Sequence, residues 1–203
     1  MVRVPRQKQR TDALRERGLA GAMEVLAEEG VAGLTTRTVA RRANASVPAI
    51  YEVFGDKAGL VREVFFEGFR LLGDELADLP DLRALAAAFR RFIVGNPVLA
   101  EIMFARPFAD FDPTADETRA GVKVRKIFVH HVRAAIEAGQ LDGDPADLAL
   151  IFFTFVQGMA AAECARRLGG SKKSVDRRWQ LGLTALISGF QATPTSAHAA
   201  ARR

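Results

Sequence analysis

Between residues 30 and 60 the sequence carries start and stop signals so closely spaced that neither a strand nor a long helix fits between them. Thr35 is placed to cap a helix that runs to about Arg42, with Val39 and Ala40 as its small apolar face. Asn44, one of the few residues besides glycine that accepts a positive φ cheaply, ends it. Ser46 caps the next helix, in which Pro48 falls in the first turn, where a missing N–H costs nothing. Ile50, Val53 and Phe54 turn inward there, and Gly55 is the stop. Two very short helices joined by a turn of about four residues make a helix-turn-helix over residues 35–54.

The rest of the chain also reads as helical, because no stretch alternates apolar and polar residues for the length of a strand. A first helix is expected from about Thr11 to Glu29, with Leu14, Ala22, Val25 and Leu26 on one face and Gly30 as its stop. A fourth, capped by Asp56, is expected to reach Leu79 with Leu60, Val64, Phe65, Phe69, Leu72 and Leu76 as its stripe. Five more are expected at about 81–94, 97–105, 115–138, 145–168 and 172–190, which gives an all-α fold of about nine helices. The expected organisation is a flexible basic arm at 1–11, a domain containing the helix-turn-helix at 12–72, a second helical domain at 73–191, and a disordered tail at 192–203.

Charge says less than its placement. The formal net charge is +5, from 29 Lys and Arg against 24 Asp and Glu. Arg3, Arg6, Lys8 and Arg10 supply +4 of it, while residues 11–60 hold six basic and seven acidic side chains. The basic start has no apolar run behind it and Cys164 is the single cysteine, so a cytoplasmic, reducing location is expected, without a disulfide or a multi-cysteine metal site. The uncharged run Leu148–Ala162 is 15 residues long and suggests a buried helix rather than a membrane span.

A DNA major groove about 12 Å wide accepts one helix, and a short helix braced at a sharp turn can present its first residues to base edges. Here those are Ser46, Val47, Pro48, Ala49 and Tyr51. They are mostly small or apolar, which favours methyl contacts, shape and water over bidentate pairs with bases. Thr35, Thr36 and Arg37 stand at one helix N-terminus and Lys57 at another, where free N–H groups favour phosphate. A plain capping role for Thr36, solvated charges at Arg37 and Lys57, and a packing role for Tyr51 are the competing readings.

The run from Leu34 to Leu60 fits L-T-T-x-x-[VI]-A-x-x-A-x-x-S-x-x-x-[IL]-Y-x-x-F-x-x-K-x-x-L throughout and closely resembles the DNA-binding region of the tetracycline-repressor (TetR) family. The resemblance covers about residues 11–72. It departs at Asn44, where the family often has Gly, and at Val53, where a His commonly stands. It implies that the Tyr51 hydroxyl bonds a phosphate, that two copies grip a pseudo-palindromic double-stranded DNA operator, and that a small apolar or amphipathic effector releases them, which makes a repressor the leading reading. The stretch Gly95–Phe104 resembles the C-terminal domain type nicknamed for a Trp-His-Gly signature, of which Phe153, Gln157 and Gly158 keep only the glycine.

A reader this small needs a partner copy. Small residues on the last two helices, Gly158, Ala162, Gly182 and Gly189, with Leu186 as apolar bulk, are the expected dimer interface, with intrachain core as the alternative. Phe89, Phe92, Phe104, Phe108, Phe128 and Phe152, with His131, are the expected lining of an effector pocket, although a phenylalanine stripe also suits plain core. Catalysis has no support: there is no phosphate loop, no metal-spaced cluster, and adjacent His130 and His131 point about 100° apart on a helix. No cofactor, metal or membrane partner is expected. A helical protein-interaction module without DNA binding, or an activator of the same family, stands as the alternative.

Overall fold

The computed structural model of the chain describes residues 6–105 and 115–191. Among them the elements are α1 (Arg6–Gly33), α2 (Thr36–Arg42), α3 (Val47–Phe54), α4 (Lys57–Glu75), α5 (Leu82–Gly95), α6 (Pro97–Ala100) continued by a π-helical turn (Glu101–Ala105), α7 (Ala115–Glu137), α8 (Pro145–Cys164) and α9 (Lys172–Gly189). The described residues contain no strand, as expected of an all-α chain. They divide into two compact units, residues 6–75 with 92–105 and 115–122, and residues 76–91 with 123–191.

In the first unit α1 packs on α2, α3, α4 and α6. The core is the set that helical spacing places inward: Ala22, Val25, Leu26, Leu34, Val39, Ile50, Phe54, Leu60, Val64 and Leu72, each 6% exposed or less. Full burial of one such Leu, Ile or Phe contributes about 1.5–3 kcal/mol, so even two short helices are held once they share this core. Phe104 and Phe92 belong to this unit, and Phe104 meets Phe69 edge-on at 5.5 Å.

In the second unit the aromatic rings pack on one another. Phe128 lies 6.0 Å from Phe89, 6.1 Å from Phe152 and 5.2 Å from Phe153, mostly edge-to-face. Such pairs add about 0.5–1.5 kcal/mol to the burial term. A half-buried polar network ties three helices together: Arg90 donates through Nε and Nη2 to Glu163 at 2.7 and 2.8 Å, and Trp179 donates through Nε1 to the same carboxylate at 2.6 Å. Arg90 also pairs with Asp176 at 2.7 Å and lies over the Trp179 ring. The hydrogen bond from Arg90 holds the Glu163 carboxyl below its ordinary range, against the opposing effect of burial.

Three helix ends differ from expectation. The first helix begins at Arg6, within the stretch expected to be arm, because Gln7, Lys8, Gln9 and Arg10 contain nothing that breaks a helix. It is interrupted at Gly30 (φ 69°), the expected stop. The fourth helix ends at Glu75, four residues early, with Asp78 at φ 55°. The eighth ends at Cys164, not 168, because Arg166 takes φ 57° and the Arg167 N–H turns back to the Ala162 carbonyl at 2.8 Å.

α8 is long and apolar enough to cross a membrane by length and composition alone, which does not indicate a membrane protein. Core helices of soluble proteins pass the same test. The expected tail at 192–203 and Phe108 lie outside the described residues.

Candidate nucleic-acid interface

Each short helix starts on a side-chain cap. The Thr35 hydroxyl accepts from the Thr38 N–H at 3.1 Å, and the Ser46 hydroxyl accepts from the Ala49 N–H at 3.3 Å. Asn44 stands at φ 48° between them; its N–H donates to Arg41 and that of Ala45 donates to Ala40, which closes α2 and turns the chain sharply into α3. Pro48 sits in the first turn of α3, and Gly55 ends that helix at φ 77°.

This frame leaves the edge of α3 open. Ile50, Val53 and Phe54 are buried, while Ser46, Pro48 and Tyr51 are exposed and Val47 and Ala49 are half-buried. Tyr51 is 48% exposed, unusual for the chain's single tyrosine, and the Thr36 hydroxyl donates to its Oη across 3.4 Å. That contact brings the start of α2 to the outer face of α3, with exposed Arg37 beside it. Lys57 opens α4 as the Asp56 carboxylate accepts from the Gly59 N–H at 2.7 Å. Hydroxyls, a guanidinium and an ammonium at helix starts suit phosphate oxygens, and a small-residue edge suits a groove floor.

Three arginines around the turn pair with glutamates of this unit. Arg42 bonds Glu28 at 2.7 Å and Glu24 at 3.3 Å, which holds the Glu28 carboxyl below its ordinary range. Arg41 lies 3.8 Å from Glu29. Arg15 pairs with Glu63 and donates to the Val53 carbonyl at 3.2 Å, so it fixes the last turn of α3. Sequence reasoning passed over Arg15, although it lies on the inward face of α1 one turn before Gly18 and two before Ala22. It also passed over Gly59, where an added Cβ would sit 1.9 Å from the Phe54 carbonyl oxygen.

The expected effector lining is divided between the two units. Phe89, Phe128 and Phe152 are 1% exposed or less and fill the second unit's core, while Phe92 and Phe104 belong to the first unit. Packing against other rings, and not a void, explains their number. Of the expected set, His131 borders a cavity of about 500 Å³ within the second unit, lined also by Leu82, Arg83, Ala135, Leu141 and Ile187. Its Nδ1 is 2.9 Å from the Ile127 carbonyl and its Nε2 3.0 Å from that of Leu79, so both ring nitrogens already have main-chain partners.

On α8 and α9, Leu150, Ile151 and Leu181 are 47–59% exposed, and a Cβ added at Gly158 or Gly189 would meet nothing. Ala162 and Leu186 are half-buried. Gly182 has an intrachain duty: an added Cβ would meet the Phe155 ring at 2.6 Å, so this glycine serves the α8–α9 approach.

A sequence model of bacterial regulatory proteins of the tetR family matches residues 19–64, which contain the whole turn just described. A model of the tetracyclin repressor-like C-terminal domain matches residues 82–186. The chain belongs to the TetR family. It is therefore a transcriptional regulator of that family, which implies DNA binding, and members are generally not enzymes. Among solved structures the fold is similar to a protein with unknown function from Rhodococcus sp. RHA1 (27% identity, TM-score 0.76, covering 88% of this chain and 96% of that one). It is also similar to a tetR-family regulatory protein from Rhodococcus RHA1 (21%, TM-score 0.63, 89% and 98%) and to a TetR variant from Acinetobacter baumannii AYE in complex with minocycline (21%, TM-score 0.59, 85% and 93%). No curated protein matches the chain.

Proposed function

We propose that this regulator represses transcription in the cytoplasm as a homodimer on a pseudo-palindromic operator and is released by a small apolar or amphipathic molecule. The observation that carries the DNA half of this reading is the open edge of α3, with Ser46, Val47, Pro48, Ala49 and Tyr51 beside the hydroxyls and charges of Thr35, Thr36, Arg37 and Lys57. Thr36, Arg37, Tyr51 and Lys57 hold phosphates and set register; the first turn of α3 meets the bases. Dimerisation through α8 and α9 is supported by the solvent-facing Leu150, Ile151 and Leu181, since an apolar helix face of this kind needs cover. Release by a small molecule is supported by the 500 Å³ cavity in the second unit and by the minocycline complex of a similarly folded TetR variant.

Footprinting on the DNA flanking the gene tests the reading, with size measurement of the free protein and a panel of apolar compounds added afterwards. Arg37→Ala and Lys57→Ala lower affinity about equally for operator and random DNA, whereas substitutions at Ser46 or Ala49 change sequence preference. If both classes protect the same operator as tightly as the parent, α3 does not read the groove.

A further inference from the structure

A dense cluster of positive charge in the described residues is far in sequence from the DNA-reading turn. Arg166, Arg167, Lys172, Lys173 and Arg177 fall within twelve residues at the corner where α8 passes into α9, and all five are exposed. None of their side chains makes an ion pair or hydrogen bond among the described residues. The two acids nearby are already engaged, since Glu163 and Asp176 both bind Arg90. Arg90 and these two acids together carry a net charge of −1, which leaves most of the corner's five positive charges without an acid among the described residues.

The corner is also held in one shape. Arg166 closes α8 at φ 57°, and the Ser171 hydroxyl accepts from the Ser174 N–H at 3.2 Å to open α9. Arg178 reaches back and donates to the Leu168 carbonyl at 2.8 Å. Gly169, at φ 113°, leaves the space this needs, because an added Cβ would lie 2.6 Å from the Arg178 guanidinium. Five cations on a braced turn lose little backbone freedom when they meet an anion.

The reading turn has the opposite character. Residues 11–60 hold six basic and seven acidic side chains, and Arg15, Arg41 and Arg42 face glutamates of their own unit. A polyanion is nevertheless the implied partner of the family, and affinity for duplex DNA rises with the number of phosphates neutralised. We propose that the α8–α9 corner is a second DNA-contacting surface, one that grips the phosphate backbone of double-stranded DNA without reading sequence. This rests on the DNA-binding reading above and adds to it the place where most of the electrostatic grip resides.

The test is a salt titration with the full chain and a variant carrying Arg167→Gln, Lys172→Gln, Lys173→Gln and Arg177→Gln, on a duplex of the region next to the gene and on a random-sequence duplex. The variant is expected to lose about tenfold or more in affinity on both duplexes at low salt. Its plot of log affinity against log salt becomes shallower by about 0.9 for each phosphate released. Unchanged affinity and slope overturn the proposal while leaving the regulator reading intact; failure of the parent to bind either duplex at any salt overturns the reading itself. If instead the variant keeps the parent's DNA slope and loses binding to phosphatidylglycerol vesicles, the corner serves a lipid surface and the proposal is wrong.

Discussion

The two units achieve order by different means. In the first, position is set by single main-chain contacts: hydroxyls on N–H groups at Thr35 and Ser46, a left-handed Asn44, and a glycine under the Phe54 carbonyl. In the second, it is set by mass, with Phe89, Phe128, Phe152 and Phe153 interlocked and one carboxylate, Glu163, serving an arginine and the tryptophan. A surface that must register on a fixed repeat needs exact backbone placement and few atoms; a body that must stay folded around it needs buried area. The chain's single tryptophan is in the second unit and its single tyrosine in the first, so each can be followed separately.

Phe128→Ala strikes the second unit hardest. It removes a ring with 0% exposure from the centre of the aromatic cluster and should cost about 3–5 kcal/mol, read as a lowered Trp179 fluorescence melting midpoint. Gly59→Ala tests the first unit's dependence on one contact. Helix propensity alone favours Ala by about 1 kcal/mol, but a Cβ 1.9 Å from a carbonyl oxygen reverses the sign. A loss of about 3 kcal/mol is expected, seen as lost operator binding with the Trp179 transition in place. An unchanged or improved stability would break the contrast between the units.

Glu163→Gln removes the charge while keeping an acceptor for Trp179, at a cost of about 2 kcal/mol. The parent's carboxyl is depressed in the folded chain, so the stability it contributes is complete above the unfolded value near 4.5 and is lost as pH falls through the folded one. Acid titration of the Trp179 melting midpoint should therefore fall less steeply in the Gln variant. Ser46→Ala is the smallest, about 1 kcal/mol from a lost cap, measured as fraying of α3 by amide exchange.

How much could be read in advance follows the same division. Caps are local chemistry, so Thr35, Ser46, Asn44 and Gly55 announced the turn. The end closed by Arg166 in left-handed backbone was not legible, because arginine does not favour that conformation, and Asp78, of a type that accepts it more readily, stands before Pro80, the expected stop. Arg15 and Gly59 act through partners 38 to 48 residues away or through a close approach of backbone, which no local pattern records. The phenylalanines were legible as apolar but not as lining or filling, since that depends on whether other rings meet them.

In the proposed dimer the outer face of α8 ties this fold to its own abundance. Leu150 and Ile151 face solvent in the single chain, and on a chain that pairs through that face every bound copy stabilises the next by mass action. Dilution then acts as a mild denaturant, and a cell holding few copies holds a larger share of them unpaired. In the proposed dimer the dose of regulator and its durability become one variable, set at the outer face of α8.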